Sequence, residues 1–338
     1  FFFKQKTAYE IVSRDWSSDV CSSDLVWASG NMGETLARMP TGTGMYSGSH
    51  VWALEPHPTN PNDMLAGSNF GIDRWDQAAK KYTRLPFKMD GLQLVTALAY
   101  NPSNPDVILA GTQPAQIWRS DDGGQTWTNT NVKMASYARG YFEGHWTRVT
   151  QILFDKKDPN LVWAGVEIDG AWRSKDGGKT WEEVARDKVP ADVHGFAVTY
   201  NGSRKLVATT NKGIWWSSDE GTSFENQPLD SKWQYTRTMV ERPDNKGVLF
   251  LTNADGPPGT AGVLWRSRDH GKNWEKVPLS PEPESAVYFI AVHPADPNLV
   301  FVAATLGQLW RSTDGGETFQ SIKRRLSEIR AIAWLPGD

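Results

Sequence analysis

Cysteine is nearly absent: the chain has one, Cys21, so it can form no internal disulfide and no cysteine-rich metal site. No apolar run approaches the roughly 20 residues that a membrane-spanning helix requires. Charge of one sign is also missing. Thirty-six Lys and Arg stand against 39 Asp and Glu, a net charge of −3, which argues against nucleic acid as the main partner. There is no zinc-binding His-Glu-x-x-His pair, no Cys-x-x-Cys and no phosphate-cradling glycine loop, so neither a metal nor a nucleotide cofactor has support in the sequence. A strand-turn-helix elbow for Ser-His-Asp catalysis is missing too. What the chain does have is 17 Trp and 30 Gly set among short alternating apolar runs, the signature of an aromatic-rich all-β protein.

Residues 1–25 stand apart from the rest. Phe3–Ile11 and Asp15–Leu25 back-translate, in frame and in order, to the two ends of a common sequencing-library adaptor, with Val12-Ser13-Arg14 as the variable index between them. The segment is therefore read as non-native and disordered, and fold reasoning starts at Val26. Cys21 leaves with it. A signal peptide upstream of Val26 can be neither asserted nor denied, so localisation stays open.

From Val26 to Asp338 the dominant feature is a repeat. The pattern Ser-x-Asp-x-Gly-x-(Thr/Ser/Asn)-(Trp/Phe) occurs at Ser120–Trp127, Ser174–Trp181, Ser217–Phe224, Ser267–Trp274 and Ser312–Phe319. The aspartates Asp122, Asp176, Asp219, Asp269 and Asp314 recur every 43 to 54 residues, the length of one four-stranded propeller blade. Each box follows a short apolar-aromatic strand such as Ile117-Trp118-Arg119. Glycine permits a positive φ in the tight turn, while the Asp carboxylate and Ser hydroxyl satisfy turn N–H groups. The boxes are thus turn staples more than surface recognition elements. A decayed copy stands at Trp75–Tyr82.

Six blades are visible between Val51 and Ile322. The tail, Ile329–Trp334, reads as an inner strand, and the head, Val26–Met39, as outer strands. Together they predict a seventh blade, making a seven-bladed β-propeller closed by pairing the N- and C-terminal strands, a single domain over 26–338. On this reading the adaptor has displaced little native sequence.

A propeller's binding groups gather where the inner strands begin, on the face opposite the boxes. Aligning the inner strands on their Asn/Asp-Pro turns places Trp52, Thr96, Thr150, His194, Arg237, Tyr288 and Arg330 in one ring. His50, Leu94, Arg148, Asp192, Tyr235, Ala286 and Glu328 form a second. Two rings this rich in charge and aromatics point to a concave ligand site. The long loop 134–147, with Tyr137, Arg139, Tyr141, Phe142, Glu143, His145 and Trp146, enters the same face as a candidate binding edge. The candidate ligand-binding residues are His50, Trp52, His145, Trp146, Arg148, His194, Tyr235, Arg237, Tyr288 and Arg330. Candidate catalytic carboxylates are Glu143, Glu167, Asp169, Asp192 and Glu328, with Asp255 in a neighbouring loop. The competing reading is structural: Arg148, Arg237 and Arg330 pair with Asp192, Glu328 and Glu241 between blades, and Trp52 and Tyr288 plug the tunnel.

The boxes, the blade grammar and the closing Ser327-Glu328-Ile329-Arg330-Ala331 resemble the sialidase-superfamily BNR/Asp-box (WD40/YVTN/BNR-like) repeat propellers, over essentially the whole of 26–338. The resemblance implies either a glycoside hydrolase or a binding module. Sialidases grip a substrate carboxylate with three arginines, and Arg148, Arg237 and Arg330 imitate that triad. The family's first arginine, however, lies in an aromatic-Arg-Ile-Pro motif, whose nearest match here is Ala37-Arg38-Met39-Pro40, and no Tyr follows Arg330. Asp-box xyloglucanases use two propellers with one catalytic Asp from each, and this chain has one. A glycosidase needs two carboxyls flanking a sugar site. Propellers similar to photosystem assembly factors instead hold protein partners and catalyse nothing. The favoured expectation is a monomeric binding propeller with a carbohydrate or protein ligand at its central face, with no cofactor, no nucleic acid and no membrane span. Glycoside hydrolysis is the alternative.

Overall fold

The computed structural model describes residues 10–13, 26–39, 41–45, 48–88, 93–136, 146–257, 259–326 and 328–336. Its strands are β1 (Glu10–Ser13), β2 (Val26–Ser29) and β3 (Leu36–Arg38), followed by six sets of four. The first set is β4 (Val51–Pro56), β5 (Asp63–Ser68), β6 (Gly71–Asp76) and β7 (Lys81–Arg84). The second is β8 (Leu94–Tyr100), β9 (Ile108–Gln113), β10 (Ile117–Ser120) and β11 (Thr128–Asn129). The third is β12 (Val149–Phe154), β13 (Val162–Val166), β14 (Gly170–Ser174) and β15 (Glu182–Val184). The fourth is β16 (Val193–Asn201), β17 (Ser203–Thr210), β18 (Gly213–Ser217) and β19 (Glu225–Gln227). The fifth is β20 (Tyr235–Glu241), β21 (Leu249–Ala254), β22 (Gly262–Ser267) and β23 (Glu275–Val277). The sixth is β24 (Val287–Ala291), β25 (Val300–Ala304), β26 (Leu309–Ser312) and β27 (Gln320–Ser321), and β28 (Ile332–Ala333) ends the chain's regular structure. Among the described residues no helix is long and apolar enough to cross a membrane.

Each set is an antiparallel meander, and together they make an all-β propeller of six blades. The expected seven-bladed ring, closed by direct pairing of head and tail strands, is corrected on this point. The head strand β2 does not meet the tail strand β28. Both pair instead with β1, in the order β28-β1-β2-β3, and β1 lies inside the segment set aside as non-native. The ring's last sheet is therefore a composite in which residues 10–13 stand between the tail strand and the head strands. The physical reason is strand spacing: two strands one position apart in a sheet cannot hydrogen-bond until a strand fills the gap between them.

Apolar residues from successive blades interleave to form the core. Leu65, Ile72, Leu98 and Ile108 pack between the first and second blades, and Leu161, Trp163, Phe196 and Leu206 between the third and fourth. The blades approach very closely along their second strands. A Cβ on Gly111 would stand 2.5 Å from the Val149 side chain of the next inner strand, so only glycine fits there.

The boxes have the hydrogen bonding expected of turn staples. Ser174 Oγ accepts from the N–H groups of Gly178 (2.8 Å) and Asp176 (3.3 Å) and donates to Asp176 Oδ1 (2.8 Å). Asp176 in turn accepts from the Thr180 N–H (2.9 Å) and hydroxyl (2.6 Å). The structure reveals a copy that the sequence pattern missed, Ser29-Gly30-Asn31-Met32-Gly33-Glu34-Thr35-Leu36. Ser29 Oγ accepts from Gly33 N (2.6 Å) and Asn31 Oδ1 from Thr35 N (2.6 Å), with Asn in place of Asp and Leu in place of Trp.

A second staple links neighbouring blades. The arginine of the third strand donates to a carbonyl of the next blade's hairpin: Arg74 to Gly123 (3.0 Å), Arg119 to Gly177, Arg173 to Glu220 (3.1 Å), Arg266 to Gly316 and Arg311 to Met32 (2.8 Å). The fourth blade has Trp216 at that place, and Gln227 donates to Gly271 instead (3.2 Å).

Candidate functional site

The inner strands share one irregularity that builds the site. In all six blades the pairing of first and second strands slips at the same point, between Val51/Ala53, Val95/Ala97, Val149/Gln151, Val193/Gly195, Thr236/Met239 and Val287/Phe289. The residues left unpaired are Trp52, Thr96, Thr150, His194, Arg237 with Thr238, and Tyr288. A bulge re-aims the side chain it carries. Here it places these residues on the wall of a central cavity of about 730 Å³, which Arg148, Glu328 and Arg330 also line.

The ring divides into two kinds of residue. Thr96 donates to the Val149 carbonyl (2.7 Å), Thr150 to the Val193 carbonyl (2.9 Å) and His194 Nδ1 to the Thr236 carbonyl. These three bulge side chains staple one inner strand to the next. His194 is accordingly buried, with its other nitrogen 3.3 Å from Asp192 Oδ1. Thr238 likewise donates to the Tyr288 carbonyl (2.5 Å), whereas among the described residues Trp52, Arg237 and Tyr288 show no such bond. Arg330 lies over the Trp52 ring (3.7 Å to the centroid), with Arg148 farther off at 5.9 Å. Arg237 lies over Tyr288 (5.2 Å), Tyr288 stacks on Tyr235 (6.0 Å), and Tyr235 meets His194 (4.6 Å).

The arginines differ in their pairing. Arg148 is held by Glu167 through two contacts (2.7 and 3.0 Å), and Arg330 faces Glu328 at 3.4 Å. Arg237 makes no contact ion pair among the described residues. Burial and the nearby Arg237 charge pull the Arg148 guanidinium below its ordinary value, against Glu167. Burial also opposes the charge on Arg237, but Tyr235, Glu167, Tyr288 and Asp192 outweigh it and hold that guanidinium above its usual value.

Among the described residues the candidate carboxylates are each engaged. Glu167 is on Arg148 and Glu328 on Arg330. Burial would raise the Asp192 carboxyl, but His194 and then Arg237 hold it below the ordinary value. Buried Asp169 accepts from Ala135 N (2.9 Å) and so pins the start of the long loop, while Asp255 caps its own turn through Thr260 N (2.9 Å). Glu143 and His145 lie outside the described residues. His50 accompanies the ring through its N–H, which donates to Asn69 Oδ1 (2.6 Å), and does not line the cavity. Among the described residues no three His, Cys, Asp or Glu are grouped to hold a metal.

Two features escaped sequence reasoning. Glu55, three positions beyond Trp52, lines the same cavity, and burial pushes its carboxyl up to about 8. In addition, the exposed large apolar side chains among the described residues, Phe70, Trp146 and Leu306, all stand on loops of this one face. Phe70 is in the β5–β6 turn, Leu306 in the β25–β26 turn and Trp146 just before β12. An apolar rim around a polar cavity is the usual anatomy of a binding face.

Known proteins share this architecture. The BNR/Asp-box repeat profile matches residues 172–183, and the profile for sortilin (neurotensin receptor 3) of the Sortilin-Vps10 group matches 262–332. The chain is a β-propeller of the sialidase-like kind carrying BNR/Asp-box repeats. A probable oligoxyloglucan-reducing end-specific xyloglucanase of Neosartorya fischeri is 24% identical over 288 residues, covering 69% of this chain and 34% of that protein. The crystal structure of the GH74 xyloglucanase from Xanthomonas campestris superposes with a TM-score of 0.63 at 17% identity, over 91% of this chain and 50% of that one. The structure of YCF48 bound to a D1 peptide superposes with a TM-score of 0.56 at 16% identity, over 81% of this chain and 82% of that one. The chain thus spans about a quarter to a third of the length of the curated xyloglucanases it matches.

Proposed function

We propose that this protein is a non-catalytic binding propeller that receives an anionic ligand in the central cavity, on the face away from the Asp-boxes. One observation carries the reading: Arg237, aimed by a bulge onto the cavity wall, is without a carboxylate partner while Arg148 and Arg330 each have one. A guanidinium that keeps its charge on a cavity wall with no carboxylate in contact has donors to offer an anion from outside. The rim of Phe70, Trp146 and Leu306 supplies apolar contact around it. The superposition on YCF48, whose structure holds a bound peptide, supports a binding role.

Screening the wild type and Arg237→Ala on glycan and peptide arrays tests the proposal. Binders should be enriched in carboxylates and lost from the variant. Retention of every binder by Arg237→Ala would exclude the cavity as the site. Glycoside hydrolysis remains the second reading, favoured by the likeness to xyloglucanases and by the elevated Glu55 carboxyl, since a glycosidase acid must hold its proton near neutral pH. Release of reducing ends from xyloglucan by the wild type, but not by Glu55→Gln, would establish that reading in its place.

A further inference from the structure

The inner strands of the propeller can be compared with one another position by position. Where the first blade has Glu55, the others carry Ala99, Leu153, Ala197, Val240, Ala291 and Ala333. The fold at this place asks for a small or aliphatic side chain, and six strands provide one. Glu55 nonetheless lines the cavity, and among the described residues no lysine, arginine or histidine pairs with it. Among the described residues the Tyr100 backbone N–H on the adjacent inner strand donates to it. Tyr100 also brings titratable groups to that side, its own phenol and around it Asp63, Arg74 and His57, none of which forms an ion pair with Glu55 among the described residues. A carboxyl that the packing does not require, exposed to a cavity and uncompensated, is a cost in stability that functional sites accept and structural positions avoid.

We propose that Glu55 is a ligand-contacting group of the central cavity, donating a hydrogen bond to an uncharged ether or hydroxyl oxygen of an acidic oligosaccharide whose carboxylate rests on Arg237. This rests on the anion-binding reading of the cavity and extends it. The three-residue step from the Arg237 ring to the Glu55 level is roughly 10 Å along a strand, so a single sugar ring cannot reach both groups and a chain of two or three can. The donor role needs the neutral acid, and burial keeps the proton on Glu55 through neutral pH. Binding of the longer sugar therefore weakens as pH rises past about 8.

The test uses the whole chain with galacturonate and trigalacturonate as probes, by calorimetric titration at pH 6 and pH 9.5, with thermal melts of each variant. Glu55→Leu, the residue type of the other blades, should melt at or above the wild-type temperature and bind trigalacturonate at least tenfold more weakly. Glu55→Gln should bind it alike at both pH values, whereas the wild type weakens at the higher one. Galacturonate should be indifferent to either change. A lower melting temperature for Glu55→Leu would make Glu55 a structural group and overturn the proposal. So would wild-type trigalacturonate affinity in that variant. If Arg237→Ala abolishes binding of both sugars while Glu55→Leu affects neither, the cavity reading stands and the Glu55 proposal fails. If the wild type binds neither uronate but captures acidic peptides through Arg237, the oligosaccharide is the wrong occupant. If no probe depends on Arg237, both readings fall.

Discussion

Replacing Arg173 and Arg268 by alanine, one at a time, separates burial from the mere number of ion pairs. By inventory Arg268 looks the more important, with contacts to Glu275 (2.9 Å) and Glu317 (2.5 Å). Yet its side chain and both partners are 44 to 51% exposed. Pairs of that kind contribute about 0–1 kcal/mol. Arg173 is 8% exposed and crosses from the third blade to the fourth, donating to the Glu220 carbonyl and the Thr222 hydroxyl, both at 3.1 Å. Its other donors meet Glu182 (2.6 Å), itself half exposed. Charge-assisted hydrogen bonds such as those of this buried guanidinium are worth roughly 1.5–3 kcal/mol. The Glu220 carbonyl keeps a second donor, Trp163 Nε1 at 2.9 Å, so the loss does not leave an orphaned acceptor. Arg173→Ala should then cost about 2–3 kcal/mol, and Arg268→Ala about 0.5 kcal/mol or less. For a domain of this size, with about 2.1 cal/mol/K of unfolding entropy per residue, these correspond to about 3–4 °C and under 1 °C in Tm. Calorimetry and urea unfolding followed by tryptophan fluorescence measure both. Equal losses in the two variants, or a loss under 1 °C for Arg173→Ala, would refute the view that the inter-blade arginines staple the ring.

The boxes should serve the fold and not the ligand. Ser174→Ala orphans the buried Gly178 N–H and is expected to cost about 1–3 kcal/mol by urea unfolding while leaving array binding intact. Arg237→Ala should do the reverse, losing binding with no fall in Tm. Acid should unfold the hairpins in a defined window. The Asp219 and Asp314 carboxyls sit at about 2, where hydrogen bonds from Ser223 and Ser217, and from Ser312 and Thr318, outweigh the opposing effect of burial. Their stabilisation is complete above the unfolded carboxylate value near 4 and is lost as pH falls toward 2. Circular dichroism between pH 5 and pH 2 should show this, and Asp219→Asn should flatten the dependence. Finally, Val12→Pro removes a ladder donor from β1, which joins β2 to β28, and should lower Tm and speed proteolysis near both termini. Unchanged melting would show that the composite sheet contributes nothing to closure.

Local chemistry explains what the sequence by itself determined. The Asp-boxes were legible because their bonds run between residues two and four apart, so spacing and residue type suffice, and their recurrence carries the propeller with it. The copy at Ser29–Leu36 escaped because Asn and Leu do the work of Asp and Trp, a substitution that the turn tolerates and a pattern does not. The alignment on the proline turns also brought Trp52, Arg237, Tyr288 and Arg330 to one level. Only the tertiary structure decided the rest. Whether a bulge side chain staples the next strand, as Thr96, Thr150 and His194 do, or lies over a ring at the cavity wall, as Arg237 does, depends on which groups lie across an inter-blade gap about 40 to 50 residues away in sequence. Arg330 met Glu328, one of the three carboxylates named for the ring's arginines, whereas Arg148 met Glu167, which was not among them, because loop geometry sets that contact. Nothing local to Leu54-Glu55-Pro56 shows that Glu55 faces a cavity. The blade count turned on the same kind of fact: strand pairing at closure is a contact between chain ends, settled by which segment fills the space between them.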